Sequence, residues 1–156
     1  MRQFALYLIL LVGIVACGKD KYETKPTLKL KSINGNFIPN GATFSADLEF
    51  TDKEGDVSGP TSLFVQKIRT NIRKVATVRD TFAVEVPDFP VKTKGELTVD
   101  LSYTNYLVSA INPPKVGTPG NERFEDDTLT IRFVLRDRAG NASDTVSAGT
   151  VIVSRN

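Results

Sequence analysis

Three carboxylates at alternate positions, Asp52, Glu54 and Asp56, sit in one short stretch, Asp52-Lys53-Glu54-Gly55-Asp56. Alternation lets loop side chains converge on one point, and Gly55 permits the tight backbone that brings carbonyl oxygens in. The chemistry open to them is capture of an oxygen-seeking cation such as calcium. A second stretch, Asp137-Arg138-Ala139-Gly140-Asn141, offers two further oxygen ligands in Asp137 and Asn141, with Asp144 just beyond. Neither has the loop length and terminal bidentate Glu of an EF-hand. Turn geometry explains the same residue types without any ion, because Asp bonds its own backbone and Gly accepts positive φ. Turn chemistry is therefore the default reading, and a calcium shell of Asp52, Glu54, Asp56, Asp137 and Asn141 stands beside it.

Other groups suggest binding rather than catalysis. Tyr106 beside Asn105, followed by Asn112 and the Pro113-Pro114 loop, can form an aromatic platform for a sugar or peptide. Tyr103 falls in phase with an apolar strand face and is expected in the core, which leaves Tyr106 and Asn112 as the ligand-binding candidates. Lys67, Arg69, Arg73, Lys74 and Arg79 cluster without an acid before Asp80. They read as an edge strand kept charged against aggregation, with a lipid headgroup, polyanion or acidic glycan as the alternative. Glu122, Glu125, Asp126 and Asp127 lie in a loop with no apolar setting to raise a pKa, so they are expected to be solvated rather than to act as paired hydrolytic acids.

Composition removes much remaining chemistry. The 156 residues contain no His and one Cys. Ser-His-Asp and Cys-His catalysis, HExxH zinc sites and imidazole proton shuttles are therefore excluded. The formal charge of +2, or +1 without Arg2, is too near neutral to argue for nucleic acid. The chain is expected to be no enzyme and to need no cofactor, calcium being the one candidate ion.

The elements that must position these residues show a period of two. Leu28 and Leu30 alternate with Lys29 and Lys31, and Asn34-Gly35-Asn36 marks a turn. Phe44, Ala46, Leu48 and Phe50 share one face of a strand over 43–50, as do Leu97, Val99, Leu101 and Tyr103 of a strand running to about Leu107. Ser62 to Arg69 is β-rich; a helical turn is conceivable over 66–78, but strand and loop are preferred. Thr81 to Val86, closed by Pro87 and Pro90, reads as an edge strand. Ala110 to Asp127 reads as a long irregular loop. Leu129, Ile131, Phe133 and Leu135 point inward from the clearest strand, and Asp144 to Val153 returns as the last. About seven strands with turn signals between them define an all-β chain, an antiparallel immunoglobulin-like β-sandwich with one long inserted loop. In that topology the Asp52–Asp56 loop and the Asp137–Asn141 turn lie at the same end.

The N-terminus supplies an address. Arg2 precedes an apolar run of 13 residues, Phe4 to Ala16, shorter than the roughly 20 needed to cross a bilayer. Its end, Ile14-Val15-Ala16-Cys17, resembles the lipobox of bacterial lipoproteins. The resemblance implies cleavage before Cys17 and acylation of its thiol, and Gly18 after it suits passage to the outer membrane. Residues 1–16 are thus expected to be a lipoprotein signal peptide, 17–26 a lipidated flexible tether, and 27–156 the sandwich. The 140 residues after the signal suffice for one domain that buries about 68% of its unfolded surface without a disulfide.

Phe50-Thr51-Asp52-Lys53-Glu54-Gly55-Asp56 early and Asp137-Arg138-Ala139-Gly140-Asn141 late also resemble motifs of Bacteroidetes-type outer-membrane lipoproteins with immunoglobulin-like or cadherin-like domains. That resemblance implies a fold and a membrane address but no activity. The expectation is a lipid-anchored protein of the bacterial outer membrane whose sandwich is a non-catalytic binding or accessory module for a glycan, peptide or envelope protein. The alternative is a structural subunit joined to an assembly through a strand edge.

Overall fold

The computed structural model describes residues 24–71, 79–108 and 112–156. Seven strands of seven or more residues carry the fold: β1 Thr27–Ile33, β3 Thr43–Thr51, β4 Gly59–Arg69, β5 Arg79–Val86, β6 Lys94–Ser102, β9 Asp127–Leu135 and β10 Val146–Val153. Three two-residue strands complete the set among the described residues: β2 Phe37–Ile38, β7 Lys115–Val116 and β8 Arg123–Phe124. One sheet has the order β1-β3-β6 and the other β2-β10-β9-β4-β5. Two sheets facing each other in this order are an immunoglobulin-like sandwich.

Alternation decides what faces inward. In β3, Phe44, Ala46, Leu48 and Phe50 are all buried, while the intervening residues are half-buried or exposed. In β9, Leu129, Ile131, Phe133 and Leu135 meet them from the facing sheet, each with no exposed surface. Val99 and Leu101 of β6, Leu63 and Val65 of β4, and Val151 and Val153 of β10 close the same core. Burial of side chains of this size contributes about 1.5–3 kcal/mol each, enough to hold the sandwich together without a disulfide.

Among the described residues the pairing is antiparallel except at one place. Phe37 and Ile38 pair in parallel with Ile152 and Val153, because the chain leaves β1 through Asn34-Gly35-Asn36 and continues in the same direction onto the other sheet. β5 ends its sheet, as the flanking prolines require.

Two expectations need correction. β6 stops at Ser102 rather than near Leu107, and Tyr103–Leu107 form a single π-helical turn closed by Val108 N–H donating to the Tyr103 carbonyl at 3.0 Å. The cause is tertiary: Leu107 is fully buried, and the Lys67 ammonium donates to the carbonyls of Tyr106 at 3.0 Å and Leu107 at 3.3 Å. The inserted segment is not wholly irregular, since β7 and β8 form a small hairpin with Asn121 N–H donating to the Thr118 carbonyl. Over 66–78, where strand and loop are preferred to a helical turn, the chain is strand as far as Arg69, and 72–78 lies outside the described residues.

Candidate functional site

The β3–β4 loop and the β9–β10 turn meet at one end of the sandwich. Carboxylate oxygens of Asp52, Asp56 and Asp137 all lie within 4.8 Å of one another. Asp52 follows β3 directly; its backbone N–H donates to the Thr93 carbonyl at 2.9 Å, and its side chain is wholly buried. Its Oδ2 accepts the Asp56 N–H at 3.1 Å, so one oxygen serves the turn. Oδ1 of Asp52 and Oδ1 of Asp56 are both shielded from water and have no hydrogen-bond partner. Gly55 makes the loop possible: its φ is +68°, and a Cβ there would lie 2.8 Å from the Lys92 backbone nitrogen.

Asp137 is set by its own turn. Its Oδ1 accepts the Asn141 N–H and its Oδ2 the Asn141 side-chain amide, both at 2.8 Å, and it is itself nearly buried. Arg138 reaches back to the other loop, donating to Ser58 Oγ at 3.0 Å.

Burial is the main force on Asp52, pushing its carboxyl above the usual range; hydrogen bonds from the Asp56 and Gly55 amides oppose this, and the charges of Asp56 and Glu54 reinforce it.

Of the five residues considered for a cation shell, the loops therefore bring Asp52, Asp56 and Asp137 together. Glu54 points to solvent, exposed, and acts on the cluster through its charge alone. Asn141 holds Asp137 through its amide nitrogens. Asp144 is exposed and pairs with Lys25 at 2.6 Å, apart from the cluster.

Near the other end of β4, Tyr106 is 38% exposed and stacks on Phe82, with ring centroids 5.1 Å apart. The pair lies in an open groove of about 540 Å³ shared with Lys67, Asp80, Asn105 and Val108. Asn112 is exposed and is not among the lining residues. Tyr103 packs against the core, as its phase requires, and its hydroxyl donates to the Ser154 carbonyl at 2.8 Å.

Lys67 and Arg69 of the basic run and Asp127 of the acidic run do not behave as solvated edge residues. β4 lies between β9 and β5, not at an edge, and Lys67 and Arg69 are buried on the face that carries Leu63 and Val65. Lys67 pairs with Asp80 at 2.9 Å. Asp127, expected in solvent, has no exposed surface; its Oδ2 accepts from Arg155 Nε at 2.7 Å and its Oδ1 lies 3.6 Å from Arg69 Nε. Phase was the available signal: Arg69 continues the series Leu63, Val65, Lys67, and Asp127 precedes Leu129 and Ile131 at the same spacing. Glu122 is exposed as expected. Arg73 and Lys74 lie outside the described residues, as does Cys17, the expected lipidation point.

No family model matches the chain, and no curated protein matches it. Among solved structures it is similar to a β-glucosidase from Listeria innocua in complex with gluconolactone, at 12% identity and a TM-score of 0.40, covering 83% of this chain and 16% of that one. It is also similar to the sporulation control protein of Bacillus subtilis, at 11% identity and a TM-score of 0.41, covering 85% of this chain and 50% of that one. A third is a Niemann-Pick type C2 protein from Japanese carpenter ant, at 11% identity and a TM-score of 0.41, covering 87% of this chain and 98% of that one.

Proposed function

We propose that the chain is a lipid-anchored envelope protein that presents its sandwich as a non-catalytic binding module, with the Phe82–Tyr106 groove as the face that meets a glycan or peptide. The observation that carries this reading is the aromatic pair itself, an exposed Tyr106 stacked on a half-buried Phe82. An aromatic face receives the apolar side of a sugar ring or a peptide side chain. The carboxylate of Asp80 and the amide of Asn105 border it and suit the ligand's hydroxyls or backbone groups, while the Lys67 ammonium, engaged by Asp80 and by the Tyr106 and Leu107 carbonyls, holds the groove's floor in place. The lipobox-like Ile14-Val15-Ala16-Cys17 supports the membrane address.

Glycan and peptide arrays probed with the full chain test the module. Saturable binding is expected, weakened about tenfold or more by Tyr106→Ala while the melting midpoint stays where it was. Silence on the arrays together with co-purification of a membrane partner would instead favour a structural subunit joined through the free edge of β5.

A further inference from the structure

We propose that Asp52, Asp56 and Asp137 form a calcium site that ties the β3–β4 loop to the β9–β10 turn. This inference is independent of the aromatic groove, which lies near the opposite end of β4.

Turn chemistry accounts for only part of the arrangement. Asp52 Oδ2 accepts the Asp56 N–H and so closes the turn, but Asp52 Oδ1, on a side chain with no exposed surface, has no partner, and neither does the shielded Oδ1 of Asp56. A buried acceptor left unpaired is costly, more so when it carries charge. The charges that act on Asp52 are those of Asp56 and Glu54, of its own sign. A cation between the loops removes all three penalties together.

The dimensions suit such an ion. Calcium binds oxygen at about 2.3–2.6 Å, so two ligands on opposite sides of it stand about 5 Å apart. The three carboxylates fall inside that span, within 4.8 Å. Asp137 is already oriented, because Asn141 bonds both of its oxygens, and each retains a lone pair for a metal. Asn141 is thus a positioning residue.

The donor set names the ion class. Oxygen donors from carboxylates, without imidazole or thiolate, select hard cations over zinc or copper. Calcium accepts irregular loop geometry, whereas magnesium demands a near-ideal octahedron and seldom occupies an all-protein cage. Three carboxylates provide part of a shell of six to eight oxygens, leaving the rest to carbonyls and water, which places the affinity with extracellular modules at about 10⁻⁴–10⁻³ M. The two loops are then cross-linked only where calcium reaches such levels.

The test uses the full chain in detergent, stripped with chelator and then titrated with calcium or magnesium chloride. Thermal melts and equilibrium dialysis with radioactive calcium are read together. One retained calcium per chain is expected, with a melting midpoint that climbs with calcium concentration. Asp56→Asn, at a half-buried position that tolerates an amide, is expected to weaken retention about tenfold or more with the fold preserved, and Asn141→Ala to weaken it less. The site is overturned if calcium neither is retained nor moves the midpoint, or if Asp56→Asn and Asp137→Asn respond as the parent does. An equal response to magnesium would overturn the choice of calcium.

Discussion

Asp52 and Asp127 are both aspartates with no exposed surface, yet they face opposite surroundings. Asp127 sits between the guanidinium groups of Arg69 and Arg155, themselves almost wholly buried. Asp52 faces two further carboxylates. Removing one member of a buried ion pair strands the other charge, which typically costs about 3–5 kcal/mol. Asp127→Asn should therefore destabilise the domain by about that amount in urea unfolding, whereas breaking the exposed Lys31–Glu96 bridge should change the midpoint little. Residue type alone pointed the wrong way here, since acidic residues in a run are usually solvated. Phase pointed the right way, because Asp127 keeps the two-residue spacing of Leu129, Ile131 and Phe133.

Among the elements, β6 shows how closely the sheets are matched. Gly95 lies opposite Phe50 in register, and a Cβ on it would come within 2.6 Å of the Phe50 ring. Phe50 is buried and packs 5.9 Å in centroid distance from Phe89, so its ring has packed neighbours to displace if it yields. Overpacking at such a site generally costs about 1–3 kcal/mol, and Gly95→Ala is expected to lower stability within that range, measured by chemical denaturation. A midpoint unchanged by this smallest of substitutions would mean that the Phe50 ring has room to turn. The end of β6 carries a second lesson. Leu97, Val99, Leu101 and Tyr103 keep strand phase past Ser102, but the buried Lys67 ammonium and the burial of Leu107 turn the chain into a π-helical turn. Local alternation had no access to a contact made by a residue on another strand.

For the molecule as a whole, the sandwich needs no disulfide, which leaves the lone Cys17 available for another role. The proposed anchor predicts that a chain expressed in a lipoprotein-processing bacterium takes up an alkyne-tagged fatty acid, and that Cys17→Ser abolishes the labelling and releases the protein from the membrane fraction. Label retained in that variant would refute the assignment of Cys17. A single acyl chain binds a bilayer only marginally, so stable retention requires more than one chain on the new N-terminus. With β5 at the edge of its sheet and the aromatic groove beside it, the surface proposed for ligands is a side of the sandwich, while the carboxylate cluster closes one end.

Periodicity and β-rich composition together determined the all-β class and about seven strands, and periodicity the inward faces of β3, β6 and β9, because side chains alternate across a strand wherever one face meets a core. Composition by itself excluded imidazole and most thiol chemistry. Which charges enter the interior, which carboxylates meet and where β6 ends were decided by tertiary structure. Each depends on partners distant in the chain: Asp137 lies far from Asp52, Arg155 from Arg69, and Tyr106 from Lys67. Only the strand order β10-β9-β4 places β9 beside β4, and only the packing of the two sheets brings the loop after β3 against the turn after β9.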